Sequence, residues 1–365
     1  QAKAPNFEKM RHALPERGTA LNPIKTHALA RIGLLGNPSD GYFGKTIACA
    51  ITNFSATVTL EEGEGISIIP HPTSDPFSFE SLADLRETAI RQGYEGGYRL
   101  IYATCKKFAD YCAKREIVLP PKGFTIRYDT TIPRQVGLAG SSAIITALTK
   151  GLRTLFGITE SQFPLEIQPS FVLSVEEEEL DIRAGLQDRV IQTYGGVVYM
   201  DFDRELLLQR GYGRYVQLDP RSVPPLFLAY VNRPKDSGKA HSDVRARWNR
   251  GDEDVILAMR EFADFAEQGR EALAQRDWAK LGDLMNRNFD LRLRLFGEKV
   301  IGDQNLEMVE IARSLGAPAK FPGSGGAVIG IWKDGDHFER LREAFASRGY
   351  AFTNIQVENG PQYPV

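Results

Sequence analysis

The sequence predicts a two-domain protein of the α/β or α+β class, and three observations carry that prediction. Strand-like runs and helical apolar periodicity interleave along the chain, with no internal repeat and no low-complexity tract. The length of 365 residues corresponds to about two domains at roughly 150 residues each. Hydrophobic residues make up 42% and charged residues 25%, enough apolar content to bury two cores without disulfide or metal staples. We divide the chain into an N-terminal arm (1–27), a first domain (28–212) and a second domain (213–365), with the junction inside 200–225.

The arm carries Pro5, Pro15 and Pro23 and little periodicity, so it reads as a segment packing on the first domain. Leu29 to Leu35 reads as a strand, closed by Gly36-Asn37-Pro38-Ser39-Asp40-Gly41. Residues 47–61, rich in β-branched and small side chains, predict a second strand. Two helical patterns cover 80–115 around the break Gly93-Tyr94-Glu95-Gly96-Gly97, and Phe124 to Asp129 reads as a strand. Over 141–156, Ile144, Ile145, Leu148, Leu152, Leu155 and Phe156 keep to one helical face. Residues 169–182 predict a further helix. Gly195-Gly196 turns into the strand Val197 to Met200. Asp201 to Ser222 is mostly polar and carries no element pattern. Pro224-Pro225 opens the strand Leu226 to Val231. Helices follow over 252–274, 276–296 and 304–315, then a strand over 326–332, a helix over 336–347 and a strand near 350–357.

Composition excludes several function classes. The formal net charge is −2, from 45 Lys+Arg against 47 Asp+Glu, which lacks the basic excess of a nucleic-acid or membrane-surface binder. Cys49, Cys105 and Cys112 form no CxxC, and the five histidines are scattered without HExxH. A disulfide framework and a zinc site are therefore disfavoured, and a reducing, cytoplasmic setting is expected. No apolar run approaches the roughly 18 residues of a membrane span, and Gln1 to Lys9 lack the apolar core of a signal peptide.

The strongest local signal is Pro133-Arg134-Gln135-Val136-Gly137-Leu138-Ala139-Gly140-Ser141-Ser142-Ala143. It follows a strand and opens an apolar-faced helix. Small residues let the backbone approach a ligand, and the unpaired N–H groups of a helix start favour an anion. The two serines add hydroxyls for phosphate and Mg²⁺. The same residues also suit a plain loop with serine as the helix cap. Gly137 and Gly140 do not make a GxGxxG pattern. Residues 39–46 end like a Walker A loop, but Ser39 stands where its first glycine belongs and Asp40 would repel phosphate. Asp40 is better suited to accept hydrogen bonds from sugar hydroxyls. A third glycine cluster, Phe321-Pro322-Gly323-Ser324-Gly325-Gly326-Ala327, precedes an apolar strand, where a hairpin turn would look alike.

Two acidic sites complete the constellation. Glu176-Glu177-Glu178-Glu179 lies late in a predicted helix, where like charges oppose the dipole. Most of these form a solvated face, and one can turn inward to a metal. Asp188, ahead of Gly195-Gly196, can orient or deprotonate an attacking hydroxyl; a helix cap or a pair with Arg189 is the simpler alternative.

These pieces, in this order, resemble the GHMP kinases (galactokinase, homoserine kinase, mevalonate kinase, phosphomevalonate kinase). Ala30-Arg31-Ile32-Gly33-Leu34-Leu35-Gly36-Asn37-Pro38-Ser39-Asp40 is similar to the first family motif, Gly137 to Ala143 to the second and Phe321 to Gly326 to the third. The resemblance runs from about residue 28 to the C-terminus. It implies a domain like the second domain of ribosomal protein S5 followed by a ferredoxin-like α+β domain, with the active site in the cleft between them. It also implies ATP and Mg²⁺ as cofactors. Asp188 falls on the acidic residue at the acceptor hydroxyl and Arg31 on its basic partner. Pro133, Gly137, Leu138, Ala139, Gly140, Ser141, Ser142 and Ala143 fall on the nucleotide loop, with Ser142 and Glu176 on the metal ligands. Gly36, Asp40, Tyr42, Gly195, Gly323, Ser324 and Gly325 fall on the substrate side. Gly185-Leu186-Gln187-Asp188 is similar to the sugar-kinase branch, and Gly33 to Gly44 looks most like plant-type glucuronokinases and the related arabinose kinases. Asn37-Pro38-Ser39 replaces the galactokinase Glu-His-Thr, which disfavours galactose, and Ala139 replaces a glycine.

The resemblance therefore implies phosphoryl transfer from ATP to the anomeric hydroxyl of a free sugar, with D-glucuronate as the acceptor. A heptose-phosphate or other sugar 1-kinase and a non-catalytic ATP and sugar sensor are the alternatives. Partners are the sugar and ATP, with no nucleic acid and no membrane, in a monomer or homodimer. A uronate carboxylate needs a cation, and Arg134, Arg189, Arg233, Lys45 and Lys239 are the candidates.

Overall fold

The structure, a computed structural model, describes residues 22–76, 79–92, 96–232 and 242–360. Its first sheet grows from the antiparallel pair β1 (Ile24–Leu35) and β2 (Lys45–Gly63). The expected arm to residue 27 is shorter than that, because Ile24 already pairs with Leu60; residues up to 21 lie outside the described ones. β3 (Ile66–Ile69) lies parallel to β4 (Gly123–Thr130), which pairs with residues 56–63 of β2. β5 (Val197–Asp201) pairs with residues 45–49 of β2 and carries β6 (Arg214–Leu218) on its far edge. One long strand thus serves both arms of the sheet, with a break in its register against β1 at residues 52–54, between the pairs Leu29–Ser55 and Ala30–Ile51.

Helices cover that sheet. α1 (Leu82–Gln92) and α2 (Tyr98–Lys114) flank the expected glycine break. α3 (Gly140–Phe156) packs on β1 and β2, and it is buried on nearly all sides because α2 and α5 cover its outer face. α4 (Gln168–Ser174) is shorter than the predicted helix over 169–182. It passes into one π-helical turn, Val175–Glu179, which carries the glutamate run. α5 (Gln187–Tyr194) was not signalled by the sequence, since Gly185 and Gly195-Gly196 bracket it closely. α6 (Arg204–Arg210), capped by Asp203, and β6 occupy the polar stretch that showed no pattern. β6 is an edge strand with no fully buried residue, so its alternation is blurred.

The second sheet has the order β10-β7-β9-β8 and is antiparallel throughout. Its strands are β7 (Leu226–Tyr230), β8 (Ala319–Lys320), β9 (Ala327–Ile331) and β10 (Ala351–Asn354). Its helices are α7 (Ser242–Arg250), α8 (Glu253–Gln275), α9 (Trp278–Phe296), α10 (Glu298–Ile301), α11 (Asp303–Ser314) and α12 (Gly335–Ser347). β6 belongs to the first sheet, so the division falls between Leu218 and Leu226 rather than at 212/213.

The two sheets share one hydrophobic core. α8 packs on α9 and also on β2, with Phe262, Phe265 and Ala266 buried. The chain end returns to the first sheet, where Glu358 N–H donates to Ala50 O and the Glu358 carboxylate accepts from Gly196 N–H. The three glycine-rich segments meet beside this core: Gly33 N–H donates to Pro322 O, and Gly137 lies against Ser324.

Candidate active site

The N-terminus of α3 forms one wall. No side chain caps it, and Ala139 ahead of it adopts the left-handed conformation (φ 64°, ψ 45°). The first N–H groups of the helix therefore point out of the loop, where an anion is favoured. Gly137 (φ 71°) lies against the third glycine segment; a Cβ there would stand 2.8 Å from Ser324 N. Gly323 meets Gly137 O and Arg31 Nη1 in the same way. Leu138 and Ala143 are buried, while Pro133, Gly140 and Ser141 are half-buried along the loop.

Arg31 joins the three segments. It stands on β1, its backbone N–H donates to Leu138 O, and Nη1 donates to Gly137 O (2.7 Å) and Pro322 O (2.9 Å). Its Nε donates to Asp188 Oδ1 at 2.5 Å. Asp188 opens α5, and Arg189 Nη1 lies 3.3 Å from its other oxygen. Burial alone would push the Asp188 carboxyl up, but the charges of Arg31 and Arg189 outweigh it and hold the group below the usual carboxylate range. Asp188 is therefore ionised and held facing the phosphate loop.

Glu176 is the one glutamate of its run that turns inward. Glu177 is exposed, Glu178 pairs with Lys107, and Glu179 with Lys106 and Lys107. Glu176 is fully buried. Its Oε2 accepts from Nε (2.7 Å) and Nη2 of Arg189, and its Oε1 from Ser141 Oγ at 2.8 Å. The expected partner, Ser142, is also fully buried and donates to Ala139 O. The structure thus brings Ser141, not Ser142, to Glu176. One carboxylate and serine hydroxyls at a helix start form a hard-oxygen donor set. That set fits Mg²⁺, which takes one or two carboxylates besides phosphate oxygens and water. Among the described residues no group of three or more His, Cys, Asp or Glu could hold a metal alone.

The acceptor side begins at Asp40, in a turn between β1 and β2. It lies over the start of α5, where Gln187 N–H donates to Oδ2 at 3.3 Å. Gly185 makes room for it: a Cβ at that position would stand 1.9 Å from Oδ2. Burial, followed by the charge of Asp188, pushes the Asp40 carboxyl up to about 6. Tyr42 is buried beside it, with the Arg245 guanidinium 4.0 Å above its ring.

Not every expected residue converges here. Gly36 gives its N–H to Asn288 Oδ1 in the interior. Gly195 closes α5 at the end opposite Asp188, about 10 Å along the helix axis. Gly325 is buried beside Asn305. Among the expected cations, Lys45 is tied to Glu267 (2.9 Å), Arg189 to Glu176, and Arg134 to Ser74 O; Arg233 and Lys239 lie outside the described residues. Sequence reasoning missed Arg292 and Arg245. The signal for Arg292 was present: Leu281, Met285, Asn288 and Arg292 recur at helical spacing on the buried face of α9, and two of the four are polar.

Comparison with known proteins identifies the family. The family described as GHMP kinases N terminal domain matches residues 99–196, and GHMP kinases C terminal matches residues 270–351. The chain is 46% identical to Glucuronokinase 1 of Arabidopsis thaliana, over 93% of this chain and 94% of that protein. It is 49% identical to Probable glucuronokinase 2 of the same plant, over 87% and 86%. The crystal structure of Lactococcus lactis galactokinase complexed with galactose superposes with a TM-score of 0.70 at 15% identity, covering 93% of this chain and 95% of that one, a likeness of fold. The chain belongs to the GHMP kinase family, and is a phosphotransferase with an alcohol acceptor that works with ATP and Mg²⁺.

Proposed function

We propose that the protein transfers the γ-phosphoryl of ATP to the anomeric hydroxyl of D-glucuronate, giving glucuronate 1-phosphate. The observation that carries this reading is the Arg31–Asp188 pair, fixed at 2.5 Å between the phosphate loop and Asp40. Kinship with the Arabidopsis glucuronokinases supports the acceptor.

The residues divide the work. The N–H groups at the start of α3 take the nucleotide phosphates. Arg31 stands against Gly137 O and offsets charge that builds on the transferring group. Asp188 accepts the proton side of the acceptor hydroxyl and aims its oxygen at the phosphorus. Two arginines hold its pKa down, so it orients and stabilises more than it pulls the proton away. Asp40 accepts from a second sugar hydroxyl. Glu176, with the hydroxyls of Ser141 and Ser142, would hold Mg²⁺, which would supply positive charge against that of the phosphates.

Cys49, Cys105 and Cys112 are free, which supports a reducing compartment such as the cytoplasm. Among the described residues no helix is long and apolar enough to cross a membrane. The function is tested by ADP release over glucuronate, galacturonate, glucose and sugar phosphates, followed by assay of the product's reducing end. Glucuronate is expected to react fastest and to lose its reducing end. A product that keeps its reducing end removes the 1-kinase assignment.

A further inference from the structure

Charge pairing in the cleft leaves two groups over. Arg31 is matched by Asp188, and Arg189 by Glu176. Lys320 is fully buried, but its donors reach Gly33 O, Asn37 Oδ1 and Phe321 O at 2.8, 2.7 and 2.6 Å. Asp40 takes only the N–H of Gln187. Arg292, 4% exposed, gives one bond to Gly323 O (3.0 Å) and one to Ser324 O (3.4 Å). Its Nε has no partner among the described residues. Neither Asp40 nor Arg292 has an opposite charge within ion-pair distance among those residues.

A buried guanidinium without a carboxylate is costly, and burial lowers its pKa to about 10. The surroundings hold it in place all the same. The rings of Phe296 and Phe321 flank it at 5.3 and 5.4 Å, and the third glycine segment accepts its bonds. The charges that act on it are those of Asp40 and Tyr42, which favour the guanidinium, and of Arg31, which opposes it. At the rim, Arg245 covers Tyr42, and its Nη2 lies 3.0 Å from where a Cβ of Gly41 would stand.

We propose that Arg292, with Arg245 at the rim, binds the carboxylate of the uronic acid acceptor while Asp40 takes one of its ring hydroxyls. The assignment rests on the uronate-kinase reading above and names the residue that makes it selective. An acceptor with an anion at one end and hydroxyls at the other satisfies both leftover charges at once. The two terminal nitrogens each give one N–H to the glycine segment and keep a second for the carboxylate oxygens, a bidentate match. A neutral hexose leaves Arg292 unpaired, which is the form of discrimination that a buried polar group enforces most strongly.

The test is initial-rate kinetics on glucuronate, glucose and glucose 6-phosphate, with the KM for ATP measured alongside. The wild-type chain, Arg292→Met and Arg292→Lys are compared. The wild type is expected to prefer glucuronate over glucose by about 100-fold in kcat/KM. Arg292→Met is expected to remove that preference by raising the glucuronate KM, with the ATP KM within about threefold of wild type. Arg292→Lys keeps the charge without the fork and is expected to lose about tenfold. A wild type without the preference removes the uronate reading, and this assignment with it. A wild type that prefers glucose 6-phosphate makes the bound anion a phosphate and overturns the carboxylate. A wild type that prefers glucuronate, with folded Arg292 variants that keep the preference, overturns Arg292 alone. A parallel rise in the ATP KM would show that Arg292 only props the glycine segment. Should Arg292→Met fail to fold, Arg292→Lys and Arg245→Gln decide: unchanged preference in both overturns the proposal.

Discussion

The proposed donor and acceptor halves of the site are built on different principles. The donor half uses β1, α3, the π-helical turn and α5, all in the layers of the first sheet. Its charges are closed: Arg31 on Asp188, Arg189 on Glu176. The acceptor half takes Asp40 and Tyr42 from a turn of the first sheet and Arg245 and Arg292 from α7 and α9 of the second. Its charges are open. Asp188 and Asp40 show what this does to one residue type. Burial pushes both carboxyls up; two arginines reverse the effect at Asp188, whereas the negative neighbour adds to it at Asp40. Closed pairs suit a wall that meets the same phosphates in every cycle. Open charges suit a wall that selects its ligand.

The largest expected effect is on the closed side. Asp188→Asn leaves Arg31 its two carbonyl contacts but removes the charge that orients the acceptor. Turnover is expected to fall by about 10³-fold, with the nucleotide Kd unchanged in a fluorescent-analogue titration. Turnover within tenfold of wild type would remove Asp188 from the transfer step. Glu176→Gln comes next, because Arg189 is almost fully buried and would keep only Asp188 as a counter-ion. A loss of about 3 kcal/mol in urea unfolding is expected. The Mg²⁺ concentration needed for half-maximal rate should rise as well. Stability lost without that rise would make Glu176 purely structural.

Asp40→Asn tests the open side and carries the opposite sign. Folded Asp40 keeps its proton to about pH 6, while a free carboxyl releases it near its ordinary value of 3.8. The folded state therefore binds more protons in that window, and its stability falls as pH rises through it. By pH 7.5 the ionised group costs the fold on the order of 2–3 kcal/mol. Asp40→Asn is expected to melt higher than wild type at pH 7.5, with the gain fading towards pH 4, while the acceptor KM rises. A loss of stability in Asp40→Asn at pH 7.5 would mean that Asp40 is paired after all.

The donor half was far more legible in the sequence, for a physical reason. A phosphate cradle is local: a strand, a run of small residues and a helix start within a dozen positions, which spacing alone can show. The strands and the long helices were legible for the same reason, their periodicity. The acceptor half is a meeting of residues some 250 positions apart, and no spacing rule connects Asp40 to Arg292. The only trace was an arginine on the apolar face of α9, and that pattern says "buried" without saying against what. α5 and β6 escaped notice because one is short and bracketed by glycines and the other is an edge strand with no fully buried residue.

The smallest expected effect sharpens what holds the donor loop. Ala139 occupies a left-handed conformation (φ 64°) that costs an L-residue about 1–2 kcal/mol. Ala139→Gly removes that strain and returns about 0.4–1 kcal/mol through a freer unfolded chain. The net change in stability should then be a gain of about 1 kcal/mol or less. The loop itself has other restraints. Gln192 Nε2 donates to Ala139 O at 2.8 Å, Ser142 Oγ donates to the same carbonyl, and Gly137 is lodged against Ser324. With those contacts intact, the ATP KM should stay within about twofold, since nothing that touches phosphate has moved. A tenfold rise would place the methyl group of Ala139 among the restraints that keep the N–H groups aimed. The closed half would then depend on backbone stiffness as well as on paired charge.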